Sequence, residues 1–157
     1  MIRENDTVDD FTLNDQGGRA VQWSALRGSP VVFFFYPKAN TPGCTKEACA
    51  FRDLAGDFEA TGVKVFGISA DTEKRQSNFA TKYDLNMPLL ADTEHAVLGP
   101  WGVWAEKKNY GRTYMGIKRT TVLFDAEGTV AEVWENVRVK GHAEKVLAAA
   151  QARFGGE

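Results

Sequence analysis

The hydrophobic pattern of the chain centres on residues 31–36, VVFFFY, six apolar or aromatic positions in a row. The run is β-branched and aromatic rather than rich in Leu and Ala, and its length predicts a central strand buried on both faces. Ahead of it, Phe11-Thr12-Leu13 and Ala20-Val21-Gln22-Trp23 alternate around the turn-rich Asn14-Asp15-Gln16-Gly17-Gly18, which predicts an N-terminal β-hairpin. Ser24 has N-cap chemistry for a short helical turn through Leu26, closed by Gly28.

Behind the central run, Thr41 stands as an N-cap with Pro42 at the first helical position. Phe51, Leu54, Ala55 and Phe58 fall at i, i+3, i+4 and i+7, an apolar stripe for a core-facing helix that stops at Gly62. Residues 63–70 (VKVFGISA) read as the next strand, and strand–helix–strand at this spacing predicts a right-handed parallel crossover. Asp71-Thr72 caps a second helix to about Asp84, residues 88–90 are extended, and 95–103 form a short helix broken at Gly99-Pro100. The polar, non-periodic stretch 105–118 reads as a surface loop of functional length. Residues 120–124 and 129–135 flank Asp125-Ala126-Glu127-Gly128 as a second hairpin, and 142–154 close the chain as a helix ending at Gly155-Gly156. No linker or repeat divides this order, which predicts one α/β domain over residues 1–157, a mixed central sheet with helices on both faces.

Composition changes this picture little. A chain of 157 residues, 43% hydrophobic and 25% charged, is long enough to bury a core. A net charge of −2 offers no basic field for nucleic acid and no polybasic patch for a membrane. The N-terminal residues MIRENDTVDDF lack the apolar core of a signal peptide, and no apolar run approaches a membrane span, so the cytoplasm is the expected compartment. Thiols there are mostly reduced, which makes a close cysteine pair a candidate for catalysis, redox sensing or metal binding rather than a structural staple.

The chain has two cysteines, Cys44 and Cys49, both in the segment after the central run. Cys44 falls in the first turn of the predicted helix, where unsatisfied N–H groups and partial positive charge favour a thiolate. The plainer alternative is a small buried hydrophobe, against which stand the polar neighbours Asn40, Thr41, Thr45 and Lys46. On one intact helix the two cysteines are about 7.5 Å apart in rise and about 140° in rotation. A disulfide needs Cα atoms within about 7 Å and converging side chains, so the pair either never bonds or bonds only when the helix start unwinds. Pro42 and Gly43 weaken that turn's commitment to helix. Zinc would need two further ligands, and the only two histidines, His95 and His142, are not spaced with the cysteines. No metal or other cofactor is therefore expected. The same two histidines are too scattered to supply a general base.

Residues 37–44, PKANTPGC, resemble the P-x-x-x-T-x-x-C signature of peroxiredoxins, and YPKANTPGCTKEACAFRD resembles the Q-type or bacterioferritin comigratory branch. The likeness extends through FTLND, Leu26-Arg27-Gly28, VFGISAD and KRTTVLFD, nearly the whole chain. It implies a thioredoxin-like fold and a thiol peroxidase acting on hydrogen peroxide and organic hydroperoxides. By the same resemblance Cys44 is the peroxidatic cysteine, Thr41 offers its hydroxyl to thiolate and peroxide, and Pro37 shields the sulfenic acid. Arg119 fixes the thiolate charge and polarises the O–O bond, with Glu47 orienting it. Cys49 condenses with the sulfenic acid to a disulfide that thioredoxin or a similar dithiol reduces, within a monomer. Taken alone, Arg119 reads as a surface arginine and Glu47 as a solvated helix-face glutamate. The family commonly carries an acidic residue where this chain has Ala39. Trp101, Trp104, Tyr110 and Tyr114 are candidates either for a substrate entrance or for core and loop anchoring. A disulfide reductase and a redox-switched binding protein are the competing functional classes.

Overall fold

The computed structural model describes residues 1–155. Its centre is a seven-stranded mixed sheet in the order β2-β1-β5-β4-β3-β8-β9. These are β1 (Thr12–Asn14), β2 (Ala20–Gln22), β3 (Val31–Phe35), β4 (Lys64–Ser69), β5 (Leu89–Ala91), β8 (Thr120–Phe124) and β9 (Val130–Trp134). The expected central strand is β3, with every residue buried. It runs parallel to β4, with Phe33 opposite Phe66 and Phe35 opposite Ile68, and antiparallel to β8, with Phe35 opposite Thr120.

Strand alternation divides the sheet's side chains into two apolar layers. Val31, Phe33 and Phe35 join Phe66, Ile68, Trp101 and Phe124 in one. Val32, Phe34 and Tyr36 join Phe51, Phe58, Phe79, Leu89 and Val146 in the other. The second layer is covered by α1 (Pro42–Asp53), α2 (Ala55–Ala60), α3 (Glu73–Lys82) and α4 (His142–Phe154). Gly67 of β4 faces this layer, where a Cβ would lie 2.9 Å from Leu89 Cδ2 and from Phe34 Cζ. Only glycine lets those side chains close over the strand. The first layer is covered by the N-terminal segment, a 3-10 turn over Trp23–Leu26 and the wound turns of 95–103. The cover of both faces is thus unequal, with α-helices on one face alone.

Four local expectations are corrected. The stripe Phe51, Leu54, Ala55, Phe58 spans two helices, because Leu54 leaves helical geometry at φ −99°, ψ 10°. Asn86 Nδ2 donates to the Arg52 carbonyl at 3.3 Å, and Arg52 Nη1 donates to Tyr83 O at 2.6 Å. These bonds tie the end of α1 to the α3–β5 loop. The apolar period runs through the break and so conceals it. Residues 95–103 are successive turns rather than a helix. Asp92 accepts the N–H groups of Ala96, Val97 and Leu98 at 2.8, 3.0 and 2.8 Å, and the turns wind on across Gly99-Pro100 to Gly102, with Trp101 N donating to Val97 O at 3.1 Å. The stretch 105–118 is a two-stranded ribbon, β6 (Trp104–Asn109) with β7 (Arg112–Ile117), turning at Tyr110-Gly111 with φ 52° and 76°. Its period is illegible because neither face is buried enough to demand apolar residues. Ser24 lies inside the 3-10 turn, whose N-cap is Gln22, and binds Asp10 through both N–H and hydroxyl.

At the start of α4, His142 is buried, with Nε2 2.8 Å from Thr121 Oγ1 and its ring edge-on to Phe51 and Trp134. Burial, with the charges of Lys145 and Arg119, lowers its pKa to about 4. Between about pH 4 and 6.5 the unfolded imidazole binds a proton that the folded one refuses, so stability is lost as pH falls through that window. Urea unfolding at pH 4.5 and 7.5 is expected to show His142→Gln abolishing a pH-dependent component on the order of 1–3 kcal/mol.

Candidate active site

The site forms where β3 hands over to α1. Tyr36 is still fully buried, Pro37 is half-buried, and Asn40 turns the chain with φ 65°. Thr41 takes the N-cap position and Pro42 the first helical turn, as the sequence predicts. The Thr41 hydroxyl does not cap the helix, however. It donates to the Lys38 carbonyl at 2.7 Å. With no side-chain cap, the partial positive charge of the first turn stays uncompensated beside Cys44. Cys44 itself is 1% exposed.

Arg119 precedes β8, and the pairing of Thr120 with Phe35 brings it to the end of β3. Val137 N donates to its carbonyl at 3.0 Å, fixing the backbone there. The guanidinium divides its fork: Nη2 lies 3.4 Å from Cys44 Sγ and Nη1 lies 2.7 Å from Glu47 Oε1. Gly43 makes the approach possible, since a Cβ there would stand 3.2 Å from Arg119 Nη2. Gly43 therefore does more than loosen the helix.

Glu47 is no solvated helix-face residue. It is 1% exposed, and its Oε2 has no hydrogen-bond partner among the described residues. Burial raises its pKa to about 7 against the pull of Arg119. For Arg119, burial opposes the charge, but Glu47 and Cys44 together outweigh it and push the pKa up. The guanidinium is therefore a fixed cation facing sulfur and carboxylate.

Cys49 is half-buried and, like Cys44, a free thiol. Both lie on the continuous helix Pro42–Asp53, five residues apart, so the helical geometry holds them out of bonding reach. Trp101 and Trp104 pack in the opposite layer and serve as core and anchor residues. Tyr110 and Tyr114 stand exposed on the ribbon, and none of the four aromatics belongs to the Cys44 layer. Lys118 turns outward to Glu135 at 3.4 Å. Among the described residues no group of three or more His, Cys, Asp or Glu side chains is placed to hold a metal ion.

Sequence reading passed over a buried polar chain beneath the loop. Tyr36 donates to Gln76 Oε1, Gln76 Nε2 donates to Ser69 Oγ at 2.9 Å, and Ser69 donates to Asp71 Oδ2 at 2.7 Å. Asp71 Oδ2 also accepts the Ala39 N–H at 2.7 Å. The one signal in the sequence is a pair of polar residues, Ser69 and Asp71, at the end of an apolar strand.

Comparison with known proteins agrees with this geometry. The AhpC/TSA family model matches residues 5–133. Peroxiredoxin Bcp of Escherichia coli is 41% identical over 146 residues, covering 93% of this chain and 94% of its own. The bacterioferritin comigratory protein of Xanthomonas campestris, studied for its alkyl peroxide reduction activity, superposes with a TM-score of 0.87 at 39% identity, covering 90% of both chains. A cysteine-to-serine mutant of PrxQ from Xylella fastidiosa superposes at 0.93 with 31% identity, covering 97% of both. A family match over most of the chain, with the thioredoxin-like architecture and a buried cysteine at a helix start facing an arginine, has one conclusion: the chain belongs to the AhpC/TSA family, as a thiol peroxidase of the peroxiredoxins.

Proposed function

We propose that Cys44 is the peroxidatic thiolate and Cys49 its resolving partner, in an enzyme that reduces hydrogen peroxide and organic hydroperoxides. The observation that carries this assignment is the fork of Arg119, bonded to Cys44 Sγ and Glu47 at once. The Cys44 thiolate attacks the terminal peroxide oxygen; the S–O bond forms, the O–O bond breaks, and the electron pair leaves on the alkoxide or hydroxide, which takes up a proton. Charge spreads from sulfur to the departing oxygen, and a preorganised guanidinium stabilises that spread better than a solvated group. Its planar fork serves two partners together, which a lysine ammonium cannot.

Thr41 acts on the peroxide. Its own proton is committed to the Lys38 carbonyl, so its oxygen is left to accept the peroxide O–H. Half-buried Pro37 shields the nascent sulfenic acid. Cys49 then attacks the Cys44 sulfur, forming the S–S bond and expelling hydroxide that leaves as water. A thioredoxin-like dithiol restores both thiols.

Because the intact helix separates the cysteines, resolution proceeds through unwinding of the first turns of α1. Residues 1–157 act as one domain in the cytoplasm, and as a monomer, since a resolving cysteine on the same helix as Cys44 removes the need for a second subunit. No helix among the described residues is long and apolar enough to cross a membrane.

Peroxide consumption with thioredoxin and its reductase is expected to vanish in Cys44→Ser; a rate equal to wild type sinks the assignment. In Cys49→Ser, mass spectrometry after a peroxide pulse is expected to show sulfinic and sulfonic oxygens on Cys44, and their absence counts against Cys49 as resolver. Stopped-flow oxidation is expected to slow about a hundredfold in Arg119→Lys, the range for removing one transition-state donor. Gly43→Ala, which crowds the same guanidinium, is expected to slow it by about tenfold. Hydrogen exchange across residues 44–50 is expected to quicken in the disulfide form; unchanged protection excludes the unwinding step.

A further inference from the structure

The loop 37–41 carries Thr41 and turns the chain into the Cys44 helix. Among the described residues, one hydrogen bond ties its backbone to an element other than the helix it leads into: Ala39 N–H to Asp71 Oδ2 at 2.7 Å. Inside the loop, the Lys38 carbonyl next to that anchor takes the Thr41 hydroxyl at 2.7 Å. Position 40 is already constrained, with Asn40 at φ 65°. Fixing Ala39 therefore fixes where the Lys38 carbonyl points, and with it the orientation of the Thr41 oxygen.

The anchor is itself anchored. Asp71 is 9% exposed, and the same Oδ2 receives the Ser69 hydroxyl at 2.7 Å. Ser69 Oγ in turn accepts Asp71 N at 3.2 Å and Gln76 Nε2 at 2.9 Å. Gln76 Nε2 also reaches the Leu90 carbonyl at 3.0 Å, and Gln76 Oε1 accepts the Tyr36 hydroxyl. Ser69, Gln76 and Tyr36 are fully buried. Among the described residues, the other oxygen, Oδ1, has only Arg75 Nη1 at 3.8 Å, a mostly exposed side chain. A carboxylate shut away at a strand end is costly, and what it gains is a charge-assisted bond to one loop N–H. The chain thus links β3, β4, β5 and α3 to a single amide of the catalytic loop.

We propose that Asp71 is a positioning residue for peroxide reduction. It acts on the peroxide side of the site, through Ala39, Lys38 and Thr41, and not on the sulfur side, where Arg119 and Glu47 meet Cys44 without the loop. The inference rests on the roles proposed above for Cys44 and Thr41. It separates two properties that usually travel together, reactivity toward peroxide and reactivity of the thiolate toward any electrophile.

The test uses the full chain carrying Cys49→Ser, so that one cysteine reports. Asp71→Ala and Asp71→Asn are compared with their parent for the second-order rate with hydrogen peroxide and for Cys44 alkylation by iodoacetamide across pH 5–9. Asp71→Ala is expected to slow the peroxide reaction by about 30- to 100-fold, the scale of a small misplacement of reacting groups. Its alkylation profile is expected to stay within about twofold of the parent, as the sulfur's own surroundings are untouched. Asp71→Asn keeps an acceptor for the Ala39 N–H and is expected to recover most of the peroxide rate. Parallel loss of both reactions, or loss of neither, overturns the proposal. If Asp71→Ala does not fold, Asp71→Asn with Ser69→Ala is judged by the same split. A Cys44→Ser protein that still consumes peroxide overturns the site assignment itself, whatever the Asp71 variants do.

Discussion

One cation between two buried acidic groups is the constraint on which the site depends. Arg119 faces the Cys44 sulfur and the Glu47 carboxylate, and neither partner is accessible to water. Taking such groups out of water costs more than an exposed pair could return, and removing one member leaves the others buried without compensation. The folded pKa of Glu47 stands above its ordinary value, so its contribution to stability is whole below about pH 4.5 and is lost as pH rises to about 7. A thiolate adds a second negative charge to the same guanidinium. In the proposed cycle, oxidation to the sulfenic acid discharges the sulfur and leaves Arg119 to Glu47 alone, which lowers the electrostatic hold on the first turn of α1 before the proposed unwinding.

The sheet makes this arrangement possible by register. Phe35 pairs with Ile68 on one side and Thr120 on the other, so the ends of β3, β4 and the start of β8 lie level. From that level edge come Tyr36 and the loop, Ser69 with Asp71, and Arg119. Two sides of the chemistry thus arrive on separate strands. On the proposed assignment, the sulfur side comes with β8 and the buried face of α1, and the peroxide side with β4 and the loop.

Much of this was legible from the residues. The VVFFFY run announced the central strand because a strand covered on both faces needs apolar residues at every position. Thr41-Pro42 announced the helix start, and the motif around Cys44 identified the family with its arginine. What failed to show had physical reasons. The ribbon of β6 and β7 is wet on both faces and has no period to read. The break at Leu54 keeps the apolar spacing intact. The bond from Asp71 to Ala39 joins residues 32 apart, through a backbone amide that carries no sequence signature at all. Glu47 was ambiguous for a similar reason: its burial depends on Arg119, which is 72 positions away.

The interruption at Leu54 has a further bearing on turnover. It gives α1 its own end, with the rings of Phe51 and Phe58 in tilted contact across the joint while Leu54 interrupts the helical geometry between the helices. Cooperative units in proteins tend to follow such seams, and the free energy of opening one unit need not include its neighbour. The helix with both cysteines is therefore a short segment bounded at Leu54, whose opening need not carry α2 with it. If resolution proceeds by the proposed unwinding, evolutionary change that welded the two into one long helix would raise the protein's resistance to denaturation and slow its catalytic cycle together. On that reading the weak joint is a governor on speed, and selection for durability alone would remove it.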